Sequence, residues 1–294
     1  MGYATAESVV KAGQTLVPVT FTAAEERDVL SVCDTAVDVF PSHEREAVIA
    51  ETKAAYPDLI IIDFTLPDAV NDNADFYVSQ GIPFVMGTTG GDRERLLKTV
   101  DDAGESSRGD GETDAPTTLA LGPLHADARR ALAPGLPAVI AANMGKQIVA
   151  LQAMLKFAAE EFPGAFSGYS LKVVESHQST KVDTSGTAKD IVASFGTLGT
   201  PITEDEIEKV RTRDEQIGRM GVPEAYLDGH AYHTYTLTSD DGTVEFQFQH
   251  NVCGRTLYAE GSVDAALFLA KKIAEGSDKK LFDMVDVLHA GAMR

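Results

Sequence analysis

"PFVMGTTGGDRERLLKTVDDAG" (residues 83–104) carries three signals in succession. PFVM is a short apolar run that reads as a strand. GTTGG is a glycine-rich turn. DRERLLKTVDDAG reads as a helix closed by glycine. The flanking sequence repeats the pattern. "DLIIIDFT" (residues 58–65) is a nearly continuous apolar run, as expected for a strand covered on both faces. "EREAVIAETKAAY" (residues 44–56) predicts a helix with Ala47, Val48, Ala54 and Ala55 on one side. "TLVPVTF" (residues 15–21) and "PAVIAANMG" (residues 137–145) supply further strands. Strands alternating with helices predict an α/β fold with a doubly wound parallel sheet. Ligands bind such sheets at the carboxyl ends of the strands, which here are DFT, GTTGG and NMGK.

The second half has a different rhythm. "GYSLKVVESHQ" (residues 168–178) is a strand between two helical stretches, residues 145–162 and 185–199. HAYHTYTLTS and TVEFQFQHN largely alternate and flank DDG, a hairpin signal. A smaller α+β unit with a mixed sheet follows from this. Residues 262–276 and 279–291 read as closing helices. Residues 104–135 interrupt the pattern with Gly, Ser, Asp, Glu and Thr and no apolar face, so a flexible insert is expected there. The expected division is residues 1–143 plus 262–294, a dinucleotide-binding domain, and residues 144–261, a domain for substrate binding and oligomerisation.

Composition narrows the function. The 294 residues are 44% hydrophobic and 24% charged, an ordinary globular mix. The formal net charge of −20 argues against nucleic-acid binding, which needs clustered Lys and Arg. Two distant cysteines, Cys33 and Cys253, argue for a reducing compartment and against a disulfide scaffold or a metal site. No apolar run approaches the ~18–20 residues of a membrane span, and the first residues read as structure rather than as a targeting segment.

The chemistry concentrates in "ESHQSTKVDTSGTAKD" (residues 175–190). Alternation along the strand puts Leu171, Val173, Glu175 and His177 on one face. His177 ends the strand beside a carboxylate that can orient it, and Lys181 follows after a short turn. Ser185-Gly186-Thr187 then opens a helix with Ser185 as its cap; the free N–H groups of a helix start favour a carboxylate or phosphate. A histidine at a strand end, a lysine in a turn or a Ser-Gly-Thr cap is each ordinary alone. In this order they suit an anionic substrate that must receive a proton.

These residues also resemble a known family. VVESHQSTKVDTSGTAKDI is similar to the catalytic signature of the 4-hydroxy-tetrahydrodipicolinate (dihydrodipicolinate) reductases, most closely their plant-type branch. IDFTLPDAVNDN, PFVMGTTGGDR, NMGKQIVA, EFPGAFSGYSL, GHAYHTYTLTS and FQHNVCGRTLYAEGSVDA resemble family segments in the family order. The resemblance implies a Rossmann-like domain joined to a mixed-sheet domain, and a reductase of the diaminopimelate route to lysine. It passes hydride from NADPH, or NADH, to a small anionic dicarboxylate. By resemblance His177 and Lys181 form the proton-transfer pair, Gln178, Ser185, Gly186 and Thr187 contact substrate, and Phe64, Thr65, Gly87, Thr88, Thr89, Asn143 and Met144 meet the cofactor. A homo-oligomer, dimer or tetramer, in the plastid stroma is implied, with no membrane or nucleic-acid partner.

Two features bear on the cofactor. Arg27 suits the 2′-phosphate of NADPH, whereas Glu25 or Glu26 would accept from a free ribose hydroxyl. The family opens with a strand and a glycine-rich loop ending in Met-Gly, and this chain enters at Met1-Gly2. The expectation is therefore a sheet without its first strand, Gly2 as the last loop residue at the cofactor, and roughly 15–20 further upstream residues in the natural protein. The alternative is a degenerate homologue that binds without catalysis.

Overall fold

The computed structural model describes residues 1–88, 90–102 and 136–291; the expected flexible insert lies outside them. In chain order the elements are α1 (Gly2–Lys11), β1 (Val19–Thr22), β2 (Asp28–Val32), β3 (Thr35–Pro41), α2 (Arg45–Ala55), β4 (Ile61–Asp63), α3 (Val70–Ser79), β5 (Phe84–Met86), α4 (Arg93–Asp102) and β6 (Ala138–Ile140). They continue with α5 (Lys146–Glu161), β7 (Tyr169–His177), α6 (Gly186–Thr197), β8 (Glu208–Val210), α7 (Arg213–Gly218), β9 (His230–Ser239), β10 (Glu245–Cys253), α8 (Thr256–Ala274), β11 (Leu281–Phe282) and α9 (Met284–His289). The chain divides into two compact units, Met1–Met144 with Ala259–Arg294, and Gly145–Tyr258.

The first unit is Rossmann-like. β4, β5, β6 and β11 form a parallel sheet in the order β11-β6-β5-β4. Phe84, Val85, Met86, Ala138 and Val139 are fully buried, so β5 and β6 are covered on both faces. Phe84, Met86 and Ile140 pack against Ile49 of α2, Val70, Ala74 and Tyr77 of α3, and Leu96 and Val100 of α4. Each Phe, Met, Ile, Leu or Val side chain among them contributes roughly 1.5–3 kcal/mol. A second sheet, β1-β3-β2, stands apart, with β1 and β3 parallel and β2 turned back on β3 through Cys33 and Asp34 at φ 46° and 67°. β1 and β4 are each the edge of their sheet, and among the described residues no ladder joins them.

Three expectations change here. β4 is a half-buried edge strand of three residues rather than a strand covered on both faces. The α2 stripe is carried by Ile49 and Thr52; Ala47, Ala54 and Ala55 are exposed. Residues 279–291, read as a closing helix, instead supply the strand β11, and the helix there is only α9.

In the second unit β9 pairs antiparallel with β7 and β10, and β8 runs parallel to β7, in the order β10-β9-β7-β8. Val173 pairs with Tyr235 and Leu171 with Leu237. These side chains pack with Phe248 against Ala188, Ile191 and Phe195 of α6 and Leu155 and Ala159 of α5. Further along, the same face carries Glu175 opposite His233, and His250 opposite His233 on the other side. The apolar face thus runs directly into a polar one. Among the described residues no helix is long and apolar enough to cross a membrane.

The loop after α6 depends on Gly199. Its φ is +111°, and a Cβ there would stand 2.7 Å from the backbone nitrogen of Ser167. Gly199→Ala should lower the unfolding free energy by about 1–3 kcal/mol from backbone strain alone. Urea unfolding should show the midpoint falling at unchanged m-value; an unshifted midpoint would mean that the loop yields without cost.

Candidate active site

β7 ends in Glu175, Ser176 and His177, all buried. The Glu175 carboxylate is fully enclosed. It takes a hydrogen bond from the Arg211 guanidinium at 2.5 Å and one from the Ser185 backbone N–H at 3.0 Å. Arg211 follows β8 and is only 16% exposed. It also donates to the carbonyls of Lys181 at 2.6 Å, Val210 at 3.0 Å, Glu175 at 3.3 Å and Asp183 at 3.4 Å. Gln216 of α7 donates to the His177 carbonyl at 2.7 Å. Removing one partner of a buried ion pair typically costs about 3–5 kcal/mol, because the other charge is left unpaired out of water.

The histidines form a connected group. His177 Nε2 lies 3.1 Å from His233 Nε2, and His233 Nδ1 lies 3.1 Å from the Tyr235 hydroxyl. His233 stacks on His250 with ring centroids 4.6 Å apart. Burial, then the nearby Arg211 and Lys181 charges, pull the His177 pKa down to about 3. Burial followed by the neighbouring His250 and His177 holds His233 well below its ordinary value. Both rings are therefore neutral near pH 7. Burial raises the Tyr235 pKa, so its hydroxyl keeps its proton. One set of tautomers satisfies the chain: Tyr235 donates to His233 Nδ1, and His233 Nε2–H donates to His177 Nε2. The His177 ring is then left to donate to the His230 backbone. His230 is separate. Its Nδ1 faces the Tyr226 and Leu227 carbonyls, each at 3.1 Å, and its Nε2 meets the Ser176 hydroxyl at 2.8 Å.

Lys181 sits in the turn between β7 and α6, 23% exposed, with its ammonium 2.8 Å from an Asp183 carboxylate oxygen. That hydrogen bond holds Asp183 below the usual carboxylate range. α6 starts at Gly186 with no side-chain cap and no acidic residue in its first turn. Gly186 is exposed and Thr187 half-buried. The turn therefore leads from a cationic residue directly into a helix start whose cap side chain makes no bond, and helix starts favour anions.

The first unit builds a second locus from the turns after β4 and β5. Asp63 is buried and accepts from the Thr65 N–H at 2.5 Å, the Tyr77 hydroxyl at 2.6 Å and the Asn73 amide at 3.0 Å. Thr88 donates to the Thr65 carbonyl at 2.8 Å. Asn71 exchanges hydrogen bonds with the Asp92 backbone, at 2.8 Å as donor and 2.7 Å as acceptor. A Cβ on Gly87 would lie 2.4 Å from the Phe64 ring. Only glycine lets these two turns approach so closely.

The structure sorts the expected site residues. In the second unit His177, Lys181, Ser185, Gly186 and Thr187 gather around the 178–185 turn, and Gln178 is half-buried at the end of β7. In the first, Phe64, Thr65, Gly87 and Thr88 meet across the two turns. Asn143 is half-buried and Met144 buried after β6. Gly2 is the first residue of α1, and Thr89 lies outside the described residues. Arg27 is held by Glu44, with its Nε at 3.1 Å, and lies over the Phe40 ring. Two expectations are corrected. Glu175 does not orient His177, since its carboxylate is taken by Arg211 and Ser185 N–H; His233 performs that task. Ser185 occupies the cap position of α6, but its side chain makes no capping bond. No metal site was expected. The structure does place ligand atoms of Glu175, His177 and His233 within 4.8 Å of one another. The Arg211 guanidinium already fills the place a cation would take at Glu175.

Arg211, His233, Tyr235, Asp63 and Tyr77 were not singled out from sequence. The i, i+2 spacing of His233 and Tyr235 in HAYHTYTL was the available signal for that pair.

Glycine turns at the ends of parallel strands in one unit, and a lysine beside a helix start in the other, describe a nucleotide-dependent oxidoreductase of two domains. The comparisons make this specific. Residues 1–107 match the model for the N-terminus of dihydrodipicolinate reductase and residues 147–288 the model for its C-terminus, so the chain belongs to the dihydrodipicolinate reductase family. It is 49% identical over 295 aligned positions to the probable 4-hydroxy-tetrahydrodipicolinate reductase 1, chloroplastic, of Oryza sativa subsp. japonica, covering 100% of this chain and 77% of that one. It is 45% identical over 295 positions to 4-hydroxy-tetrahydrodipicolinate reductase 1, chloroplastic, of Arabidopsis thaliana, covering 100% and 76%. A solved dipicolinate-bound dihydrodipicolinate reductase from Paenisporosarcina sp. TG-14 superposes with a TM-score of 0.48 at 18% identity, over 87% of this chain and 80% of that one.

The neutral histidines give stability a pH dependence. His177, His230, His233 and His250 all have lowered pKa values in the fold. Below about pH 6.5 the unfolded chain binds protons that the folded chain refuses, so stability falls as pH falls. The slope is about 1.4 kcal/mol per pH unit for each ring that stays neutral. For His177 the loss continues toward its folded value of about 3. Urea unfolding from pH 8 to pH 5 should show a stability loss of several kcal/mol; a flat profile below 6.5 would mean that these rings accept protons in the fold.

Proposed function

We propose that this protein is a 4-hydroxy-tetrahydrodipicolinate reductase of the diaminopimelate route to lysine. The observation that carries this reading is Lys181 held in a turn beside the uncapped start of α6, in a chain of this family. The substrate is a cyclic imine with two carboxylates. The C4 hydroxyl and a hydrogen of the adjacent ring carbon leave as water, forming a C=C conjugated with the imine. Hydride then adds at C4, and the electron pair of that C=C, pushed toward the imine, takes up a proton at the adjacent carbon. Lys181 gives that proton as its ammonium and offsets substrate charge. His177, bonded to His233, completes the proton-transfer pair with Lys181. Ser185, Gly186 and Thr187 hold a carboxylate at the α6 start, with Gln178 at the strand end beside them.

The first unit fits a dinucleotide. Phe64, Thr65, Gly87 and Thr88 form closely packed, backbone-rich turns at the carboxyl ends of parallel strands. These residues would hold the nucleotide together with Thr89, Asn143, Met144 and Gly2, the last at the start of α1. NADPH is the preferred form, because the exposed Arg27 can exchange its Glu44 partner for a 2′-phosphate; NADH is the secondary one. The nucleotide, when bound, supplies the hydride. The first unit is the dinucleotide-binding domain, and the second serves substrate binding and oligomerisation. The protein acts as a homo-oligomer, dimer or tetramer. β10 supports this, since among the described residues one of its edges is unpaired and it exposes Phe246. Its place is the plastid stroma, in keeping with its chloroplastic plant relatives.

Lys181→Ala should lower kcat by about 10²–10⁴-fold and leave NADPH affinity unchanged by calorimetric titration. Turnover of freshly generated 4-hydroxy-tetrahydrodipicolinate near the unmodified rate would remove Lys181 from the chemistry. Thr187→Val should raise substrate KM more than it alters nucleotide affinity, because a carboxylate loses a donor. A fall in NADPH affinity instead would assign the Ser-Gly-Thr turn to the nucleotide.

A further inference from the structure

We propose that Arg211 is a positioning residue of the reaction: its guanidinium holds the 178–185 turn in the shape that sets Lys181 against the start of α6. The proposal rests on the assignment of Lys181 as proton donor. An arginine in the unit that receives a dicarboxylate suggests at first a direct contact with substrate. The hydrogen bonds argue otherwise. A guanidinium has five N–H donors. Nε bonds the Lys181 carbonyl, Nη1 the Glu175 and Val210 carbonyls, and Nη2 the Glu175 carboxylate and the Asp183 carbonyl. All five are engaged by the protein, so none remains for a substrate carboxylate.

The turn needs such a hold. Ser179, Thr180, Val182 and Asp183 are exposed, and Val182 is 84% exposed, so apolar packing does not anchor its tip. Within the turn one backbone bond, from Lys181 N–H to the Gln178 carbonyl at 3.0 Å, closes the first half. Arg211 fixes the second half at two carbonyls, those of Lys181 and Asp183. Through Glu175, which accepts from Ser185 N–H at 3.0 Å, it also fixes the residue at which α6 begins. One planar fork therefore links the lysine and the helix start. Lysine in its place would keep the charge opposite Glu175 but has three donors on a single atom and cannot span those acceptors.

The test is a double-mutant cycle of R211K and K181A, with steady-state turnover and calorimetric NADPH titration on each protein. R211K should lower kcat by about 10²-fold, the loss that a displacement of about 1 Å can produce. Substrate KM and NADPH affinity should stay within about threefold. In the K181A background R211K should cost nothing further, since the group it positions is gone. Losses that multiply, wild-type turnover in R211K, or loss of NADPH binding with turnover would each overturn the proposal. Near-normal turnover of K181A alone would instead overturn the Lys181 assignment, and the two failures are distinct. If R211K does not fold, the pair E175Q with R211Q removes both buried charges together and strands neither. The same cycle on that background then decides, with the same outcomes.

Discussion

A carboxylate and a guanidinium, Glu175 and Arg211, meet out of water at the end of β7, and the polar part of the second unit is arranged around them. Neither charge is tolerable there alone. Their pairing brings the loop after β8 onto the end of β7 and commits the carboxylate to the α6 start. The turn that carries Lys181 is therefore suspended between two regular elements that the apolar core already holds. Val173, Tyr235, Leu237 and Phe195 build that core from the same sheet face that continues as Glu175, His177 and His233. Stability and the placement of Glu175, His177 and His233 share one surface.

Burial sets the charge state of the histidines near this pair. His177 and His233 are enclosed and lie near cations, so their charged forms are disfavoured and they act as neutral hydrogen-bonding rings. Lys181 keeps part of its side chain in solvent and has Asp183 as a counter-ion. Two residues four positions apart thus differ in exposure because one ends a buried strand and the other rides an open turn. In the first unit a different device achieves similar rigidity. Asp63 gathers Thr65, Asn73 and Tyr77, and Gly87 allows the β5 turn to lie against Phe64. Polar anchors and missing side chains there shape a surface made largely of backbone.

Much of this was legible in the sequence because strand and helix periods are local. Alternation through YSLKVVESH put Glu175 and His177 on one face, and β7 has them there. GTTGG after an apolar run marked a turn at a strand end, and Gly87 is needed there for a steric reason that a glycine-rich run already suggests. The failures have physical causes too. α2 has apolar residues on several sides, so which of them turned inward depended on what lay beneath; Ile49 did, and Ala54 and Ala55 did not. DLIIIDFT is apolar enough for a central strand, yet β4 lies at an edge because of its neighbours, not its composition.

What the sequence determined by itself was the class of fold, the strand–turn–helix that bears His177, Lys181 and the Ser-Gly-Thr start, and the acidic background against which a local cation stands out. Each rests on interactions between residues close in the chain. What only the tertiary structure decided was partnership. His233 is brought to His177 by the register of β7 against β9, and Arg211 to Glu175 by the parallel pairing of β7 with β8. No local period encodes a register between segments so far apart. It is chosen by the packing of the whole sheet, which turned an expected Glu175–His177 pair into Glu175–Arg211 and His177–His233.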